Sequence, residues 1–361
     1  MLTTALSGGI IGLIFGFILQ RTRFCMTGGF RDMYIARNNT LFYAFLIAIT
    51  VESIGVLFLI KLGIVGNPYE EFSVLGAIVG SYLFGIGIIL AGGCATGTWY
   101  RAGEGLLGSW VALFFYMTSA AAMKSGFLVP LNQSIAKRWV INDDLASQLG
   151  IPVWYLLVFL VVITSFFVIR ELRKPRRQIA SLPARYKGVR HYLFEKTYHK
   201  YFAGLLIGLV ALIAWPASQL TGRVGGLGIT TPSAHLISYI ITGDSKQLGW
   251  GVFLVLGIFL GSFLAAKGSR EFRWRLPDLS TIGKSTLGGI FMGIGASWAG
   301  GCTIGNGLTA TAIFSSKGWI ALPVTILGVW TASYIIFVKT QQKLRGEYHM
   351  ALIKLETGGL V

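Results

Sequence analysis

Residues 84–94 read Phe84-Gly85-Ile86-Gly87-Ile88-Ile89-Leu90-Ala91-Gly92-Gly93-Cys94, and residues 292–302 repeat the same frame as Met292-Gly293-Ile294-Gly295-Ala296-Ser297-Trp298-Ala299-Gly300-Gly301-Cys302. Each apolar run ends in two glycines and a cysteine. A glycine pair after such a run predicts a membrane helix that breaks there, since irregular backbone at membrane depth is tolerated only around a cavity or inside protein. Two copies of one G-x-G-x3-A-G-G-C frame, 208 positions apart, predict an internal duplication.

The composition outside these two motifs is that of a membrane protein. Hydrophobic residues make up 54% of the 361 residues and charged residues only 12%, against about 25% in an average soluble domain. Eight apolar segments approach or reach the length that a helix needs to cross a bilayer: 5–20, 41–60, 73–91, 153–169, 202–216, 249–266, 285–298 and 318–338. The sequence therefore predicts an all-α, polytopic transmembrane helical bundle with internal duplication and broken or re-entrant half-helices.

The net charge of +17 is concentrated beside the apolar segments. Short basic stretches next to spans mark the cytoplasmic side, and anionic lipid accounts for them without a nucleic-acid partner. We expect a first transmembrane repeat at 1–169, a basic cytoplasmic linker at 170–200, a second repeat at 201–338 and a cytoplasmic tail at 339–361. Because 153–169 and 318–338 both end in a basic stretch, we expect the two repeats to have parallel orientation.

Three glycine-containing segments carry the residues suited to chemistry, and a cysteine lies in each. Free cysteine in a membrane helix usually packs, but the duplicated glycine break favours a functional role for Cys94 and Cys302, and two nearby arginines favour one for Cys25. The neighbouring hydroxyl, amide and guanidinium groups could act as anion-attracting donors: Arg21, Arg23, Thr96, Thr98, Arg101, Thr303 and Asn306. The arginines could equally anchor to lipid headgroups.

Other chemistries lack sequence support. There is no Walker A motif for ATP, and no C-x-x-C or paired histidine for a metal. We expect no cofactor, no metal and no enzymatic activity. Glu52, inside the apolar run 41–60, is an ionisable group at membrane depth, which is a functional hypothesis by default. Pairing with an arginine is the simpler interpretation of this residue.

The motifs at 21–32, with the pattern R-x-x-F-C-x-x-G-x-F-R-D, and both GGC motifs in order resemble the YeeE/YedE family across almost the whole chain. This family is associated with thiosulfate uptake and, in one branch, with selenium metabolism. The resemblance implies a bacterial inner-membrane transporter whose central thiosulfate pathway is lined by Cys25, Cys94 and Cys302. It also implies a partner, a separate small cytoplasmic sulfur-carrier protein with a reactive cysteine.

A physical argument supports this pathway. A dianion is costly to desolvate, so its path must offer donors that bind it weakly enough for release. Three neutral thiols could pass a terminal sulfur along by S–H···S contacts, whereas a thiolate would repel the anion. The alternatives are a selenium or other sulfur-oxyanion substrate, a membrane sulfurtransferase that forms a cysteine persulfide, and a membrane anchor for a sulfur-carrier protein.

Overall fold

The structure, a computed structural model, describes residues 1–174, 187–196 and 198–342. Its described part is almost entirely helical, with fifteen α-helices: α1 Leu2–Thr22, α2 Met26–Ile35, α3 Thr40–Lys61, α4 Val74–Leu90, α5 Ala95–Gly103, α6 Leu107–Ser125, α7 Val129–Ala136, α8 Leu145–Leu149, α9 Val153–Leu172, α10 Val189–Phe194, α11 Lys200–Gln219, α12 Thr230–Thr242, α13 Trp250–Gly268, α14 Leu279–Trp298 and α15 Ser316–Ser333. Shorter helical turns cover Ser245–Gln247, Gly305–Ala310 and Tyr334–Val338.

Long apolar helices dominate the bundle. Seven helices within the described ranges are long and apolar enough to cross a membrane, or up to eight if the bent pair α6–α7 forms one span. Every apolar segment predicted from the sequence lies in a helix, which confirms the polytopic helical fold. The helix α6 was not predicted, because Ser109, Tyr116 and Lys124 interrupt its apolar residues.

Both GGC motifs break a helix, as predicted. The helix α4 ends at Leu90, and Gly92 has a φ of 70°, a left-handed conformation that favours glycine. The helix α14 ends at Trp298, and Gly300 has a φ of 71°. Each break leaves its cysteine at a turn inside the bundle rather than on a continuous helix face.

Small residues bring the long helices close together. Gly12 of α1 lies against Leu254 and Gly257 of α13, and Gly16 lies against Ile258 one turn further along. A side chain at these positions would collide with backbone, which is why glycine stripes occur at close membrane-helix contacts. The increasing residue numbers on both helices show that α1 and α13 run parallel.

The predicted parallel orientation of the repeats is wrong. The helices α4 and α14, which precede the two GGC motifs, pack antiparallel: Gly80 lies against Gly295 and Ala299, whereas Gly87 lies against Gly288 and Met292. Helices at matched positions of parallel repeats would run in the same direction. The helices α4 and α14 run in opposite directions instead, as they do in inverted repeats, where one half is turned over relative to the other.

Helix ends recur at the spacing of the two motifs. The helices α4 and α14 end 208 positions apart, as do α6 at Ser125 and α15 at Ser333. The division into repeats at 1–169 and 201–338 stays a prediction. Residues 175–186 and 197 of the linker, and the tail beyond Gln342, lie outside the described residues.

One end of the bundle collects basic segments, and we call it the basic face. It is formed by the ends of α9 and α13, the helix α10, the start of α11 and the loop 267–275. Two contacts join α10 and α11 to the end of α1: Arg21 donates from Nε to the Leu193 carbonyl over 3.0 Å, and Lys200 donates to the Thr22 carbonyl over 2.6 Å.

The opposite face is closed by the segment 126–152. Two short strands, β1 Phe72–Ser73 and β2 Val140–Ile141, pair antiparallel with Phe72 opposite Ile141. Asp143 follows β2 directly, and its carboxylate accepts from the Ser315 hydroxyl over 2.6 Å and from the Lys317 backbone N–H over 2.8 Å. This pairing holds the start of α15 beside the second GGC motif.

Candidate functional site

All three cysteines are free and buried. Cys94 caps the N-terminus of α5, and its Sγ accepts a hydrogen bond from the Gly97 backbone N–H over 3.4 Å. A thiol at this position is fixed by the helix start, because the first N–H groups of a helix have no partner within it. The helix break at Gly92-Gly93 therefore positions the Cys94 sulfur.

The thiols of Cys25 and Cys94 lie side by side. Cys25 caps α2, after a helix break at Arg23 where φ is 53°. The two thiol groups are within hydrogen-bonding reach of each other. A methyl group placed on Gly97 would lie 3.4 Å from the Cys94 Sγ and 3.6 Å from the Cys25 Sγ. Gly97 thus borders the space shared by the two sulfurs.

The third thiol, Cys302, is connected to this pair through Thr303 and Tyr116. The Thr303 side chain lies close to the Cys94 thiol without bonding it, and its buried hydroxyl has no hydrogen-bond partner in the described part of the chain. The Tyr116 ring lies near both Cys94 and Cys302, and its hydroxyl bonds that of Thr230 over 2.9 Å. The structure therefore brings all three predicted cysteines into one region between the two motif turns.

A cavity of about 180 Å³ opens from Cys302 toward the opposite face, and we call it the Arg223 cavity. Its wall combines the second GGC turn with the glycine-rich loop 225–229 and the N-terminus of α12. Two cations, Arg223 and Lys317, line it together with a single carboxylate, Asp143. The cavity can therefore attract a small anion to the Cys302 thiol.

Arg223 was not predicted from the sequence. Its guanidinium donates to the carbonyls of Gly225 and Gly226, over 3.2 and 2.9 Å, and stacks over the Trp250 ring. It forms no ion pair with any residue that the structure describes. Burial lowers the pKa of Arg223, but a guanidinium stays charged in proteins.

Lys317 differs from Arg223 because it has a carboxylate neighbour. Its Nζ lies 3.8 Å from the Asp143 carboxylate. Burial raises the pKa of Asp143, while Lys317 and the hydrogen bond from Ser315 act in the opposite direction. Arg223 thus carries the uncompensated positive charge of the cavity. Little in the sequence indicated this role, because a single arginine before Gly225-Gly226 looks like an ordinary cation in a loop.

A second cavity, of about 250 Å³, lies on the side of the basic face, and we call it the Arg101 cavity. Arg101 and Arg275 line it beside the first GGC turn. Arg101 donates to the Gly92 carbonyl, bonds the Tyr100 hydroxyl over 3.3 Å, and forms no ion pair among the described residues. Of the three predicted arginines, it is the one placed beside Cys25 and Cys94 with its charge unpaired.

The other two predicted arginines are paired. Arg23 donates to both oxygens of Glu104, over 2.6 and 2.7 Å, and also bonds Glu271 over 2.8 Å. Arg21 lies 3.6 Å from Glu271 and is buried. Burial raises the pKa of Glu104, and the neighbouring Arg23 opposes this. These two arginines join α1, α5 and the loop after α13, and their charge is compensated.

The predicted polar donors divide into two groups. The hydroxyl of Thr98 is committed to the Ala95 carbonyl over 2.7 Å, and the Asn306 amide is committed to the Ala299 carbonyl over 2.8 Å. Thr96 and Thr303 have buried hydroxyls with no hydrogen-bond partner in the described part of the chain. The hydroxyls of Thr96 and Thr303 are therefore uncommitted, whereas Asn306 stabilises its own turn.

Glu52 pairs with no arginine in the described part of the chain, so the predicted arginine pairing is not seen there. Its Oε1 accepts from the Trp215 indole N–H over 2.9 Å, and its Oε2 has no partner within the described residues. No group of three His, Cys, Asp or Glu side chains in the described ranges could hold a metal ion.

Comparison with known proteins gives a consistent result. The family model described as "Sulphur transport" matches residues 21–331. The chain is 54% identical, over 96% of its length and 98% of the relative's, to the thiosulfate transporter TsuA of Escherichia coli K12. It is 32% identical to the thiosulfate transporter TsuA of Spirochaeta thermophila, over 92% of the chain and 98% of that relative.

The chain also matches the probable transporter YedE of Escherichia coli K12, with 39% identity over 101 residues, which is 28% of the chain. These relatives are named as transporters, in agreement with the expected absence of enzymatic activity. The resemblance noted from the Cys25 motif and the two GGC motifs is confirmed over nearly the whole chain. This protein belongs to the Sulphur transport family of membrane proteins, the family of YeeE and YedE.

Proposed function

We propose that this protein imports thiosulfate through a pathway that passes Cys302, Cys94 and Cys25 in that order. Two full-length relatives are named thiosulfate transporters, one of them 54% identical to this chain. The observation that carries the proposal is the placement of the three buried thiols between a cation-lined cavity on one side and Arg101 on the other.

The pathway begins in the Arg223 cavity. The unpaired guanidinium of Arg223 attracts the dianion. Because Asp143 partly neutralises Lys317, the cavity presents less than two full positive charges to the anion. Release matters as much as capture, because an anion held by several fixed cations would not move on. Cys302 lines the same cavity and is the first sulfur that the anion meets.

From Cys302 the terminal sulfur of thiosulfate passes to Cys94 and then to Cys25. Thr303 provides a free hydroxyl between the first two thiols, and the Cys94 and Cys25 thiols are within contact of each other. A thiol is a weak donor and a polarizable acceptor, which suits brief contacts with a sulfur terminus. Arg101 then draws the anion toward the Arg101 cavity.

The basic face is the cytoplasmic face in this proposal. Positive charge beside membrane spans favours the cytoplasmic side of a bacterial inner membrane. The helix α15 starts beside Asp143, and the turn Tyr334–Val338 that follows it lies toward the basic face, so the C-terminus would be cytoplasmic. A separate sulfur-carrier protein with a reactive cysteine would collect the imported sulfur compound there.

The choice of thiosulfate over a selenium or other sulfur oxyanion follows the full-length relatives, since the match to YedE covers only 28% of the chain. The anchor hypothesis leaves the two cavities without a use. The sulfurtransferase alternative requires a thiolate and a persulfide on one cysteine. No histidine among the described residues lines either cavity, so activation of a thiol would fall to Arg101, the unpaired cation beside Cys25 and Cys94.

The decisive experiment is uptake of labelled thiosulfate by proteoliposomes that contain this protein alone. Cys94→Ala should abolish most uptake, and Cys302→Ala and Cys25→Ala should lower it severely, because alanine removes the sulfur contact at a narrow point. Cys→Ser should restore little, because a hydroxyl is shorter and harder than a thiol. Full uptake by the triple alanine variant would contradict the pathway.

A matched pair of threonine variants provides the control. Thr303→Val removes a hydroxyl that is free to meet the anion, whereas Thr98→Val removes one that bonds its own helix. We expect a fall in uptake for the first variant alone. Intact-mass spectrometry during turnover separates the two mechanisms: a stoichiometric sulfur adduct that forms as fast as uptake would favour the sulfurtransferase.

A further inference from the structure

The carboxyl of Glu52 lies directly behind the wall of the Arg223 cavity. Glu52 is in the middle of α3 and is fully buried. Its hydrogen-bond partner, Trp215, lines the cavity, and so does Thr309, whose side chain lies next to the Glu52 carboxyl. Gly226 closes this wall, because a methyl group there would lie 2.7 Å from both the Thr309 Cγ2 and the Trp215 Nε1.

This carboxyl is chemically unusual for its place. One oxygen accepts a single neutral N–H, and the other has no partner in the described part of the chain. A carboxylate at membrane depth without a cation is strongly disfavoured, and such groups in transporters mark proton or ion pathways. When protonated, the Glu52 carboxyl would have an O–H to donate to the adjacent Thr309 oxygen. The Thr309 hydroxyl itself donates to the Leu227 carbonyl over 3.0 Å.

The side chains that face Glu52 from neighbouring elements are neutral. Trp215 comes from α11, Thr309 from the turn Gly305–Ala310, and Thr164 of α9 bonds Thr50, two residues before Glu52. On α2, Arg31 and Asp32 pair with each other at the far end. The titratable and charged groups on the same side are Tyr69, whose hydroxyl donates to the Ile313 carbonyl, and the cavity residues Arg223, Lys317 and Asp143.

The proposed import of thiosulfate needs an energy source. A membrane potential of 100 mV, negative inside, shifts the equilibrium distribution about 50-fold for each charge moved, so a dianion alone would be excluded roughly 2,000-fold. Each proton that enters with the anion removes one charge from this opposition. A proton site beside the anion cavity would therefore link uptake to the proton gradient.

We infer that Glu52 is a proton-binding site that couples proton entry to anion uptake. This inference rests on the proposed thiosulfate transport. A proton from the water of the Arg223 cavity reaches the carboxylate by way of the Thr309 hydroxyl, and the neutral carboxyl returns to the carboxylate when that proton leaves toward the cytoplasm. No bond other than O–H forms or breaks, and no electron is transferred.

The first test uses the wild-type protein in proteoliposomes that contain a pH-sensitive dye, with the membrane potential clamped at zero. Adding thiosulfate outside should acidify the lumen, and an inward proton gradient of two pH units should accelerate uptake at least 10-fold. Vesicles that take up thiosulfate without proton movement would overturn the inference alone. Vesicles that take up no thiosulfate would contradict the proposed function itself.

The second test assigns the site. Glu52→Gln keeps an oxygen for the Trp215 N–H but cannot release a proton, so thiosulfate-driven acidification should be lost and uptake should no longer respond to the gradient. The matched control, Glu71→Gln, changes an exposed carboxylate and should behave as wild type. Undiminished acidification by Glu52→Gln would overturn the assignment.

Trp215→Phe supplies an independent readout if Glu52→Gln does not fold. The indole N–H stabilises the ionised carboxyl, so its removal should shift the external pH for half-maximal uptake upward. A purely structural effect of the substitution would lower the rate without moving that midpoint. An unchanged midpoint in folded protein would count against the proton site.

Discussion

Gly97→Ala tests whether the transport pathway passes between the thiols of Cys25 and Cys94. Gly97 lies in the first turn of α5, where no positive φ requires glycine. An added methyl group would sit 3.4 Å from the Cys94 Sγ and 3.6 Å from the Cys25 Sγ, at ordinary van der Waals distance. The folded protein can therefore accept the methyl group, but the space bordered by the two sulfurs becomes filled.

The expected effects on stability and on transport have opposite signs. Alanine within a helix is about 0.5–1 kcal/mol more favourable than glycine, so the thermal stability should be unchanged or slightly raised. An anion that has to displace the methyl group meets an overpacking cost of about 1–3 kcal/mol in the pathway. At about 1.4 kcal/mol for each factor of ten, the uptake rate should fall roughly 5-fold to 150-fold.

The assay compares initial rates of labelled thiosulfate uptake in proteoliposomes with thermal unfolding of the same preparations. Gly283→Ala is the matched control, because Gly283 lies in α14, lines neither cavity, and a methyl group there has no atom within 4 Å. Its uptake should stay within about twofold of wild type. A Gly97→Ala protein that is folded and transports at the wild-type rate would refute a pathway between the two thiols.

Three further predictions concern the charged groups and the topology. Arg223→Gln should raise the KM for thiosulfate about 10-fold to 150-fold, since a hydrogen bond to a charged group contributes about 1.5–3 kcal/mol. Arg223→Lys should recover part of this loss, and equal KM values would exclude Arg223 from anion capture. Because burial raises the pKa of Asp143, its folded form binds a proton more tightly than the unfolded chain, so this residue's contribution to stability should fall as the pH rises from the unfolded to the folded pKa. The Asp143→Asn variant should lack this pH-dependent contribution to stability when thermal unfolding is measured over a range of pH values. Asn142→Cys should react with an impermeant thiol reagent from outside intact cells and Ser181→Cys should not; the reverse pattern would invert the topology.

An ion-pair network beside the basic face compensates the charge of two arginines, Arg21 and Arg23. Arg23 bridges Glu104 and Glu271, which come from distant parts of the chain. Arginines beside a cysteine motif suggested anion attraction, but each carboxylate partner lies at least 81 positions away in sequence. Such pairing follows only from helix packing, so the sequence could not distinguish the paired Arg21 and Arg23 from the unpaired Arg101.

Local sequence was sufficient for the helices and their breaks. An apolar run can cross a bilayer only as a helix, because its backbone groups must bond within the segment, and a glycine pair ends that helix wherever it occurs. These rules act over a few residues, so the spans, the breaks before Cys94 and Cys302, and the membership of the family could be predicted. The helix α6 was missed because its polar residues reduce the same local signal.

The tertiary structure alone decided which side chains meet. The antiparallel contact of α4 with α14, the neighbouring thiols of Cys25 and Cys94, and the position of Arg223 above Cys302 all depend on how glycine-lined helices pack. Hydrophobicity supplies no direction to this packing, since lipid is as apolar as the helix surfaces. Shape and close backbone approach select the partners, and they involve residues that are distant in the chain. For that reason the three cysteines could be identified from the sequence, whereas the Arg223 cavity beside Cys302 and its unpaired cation could not.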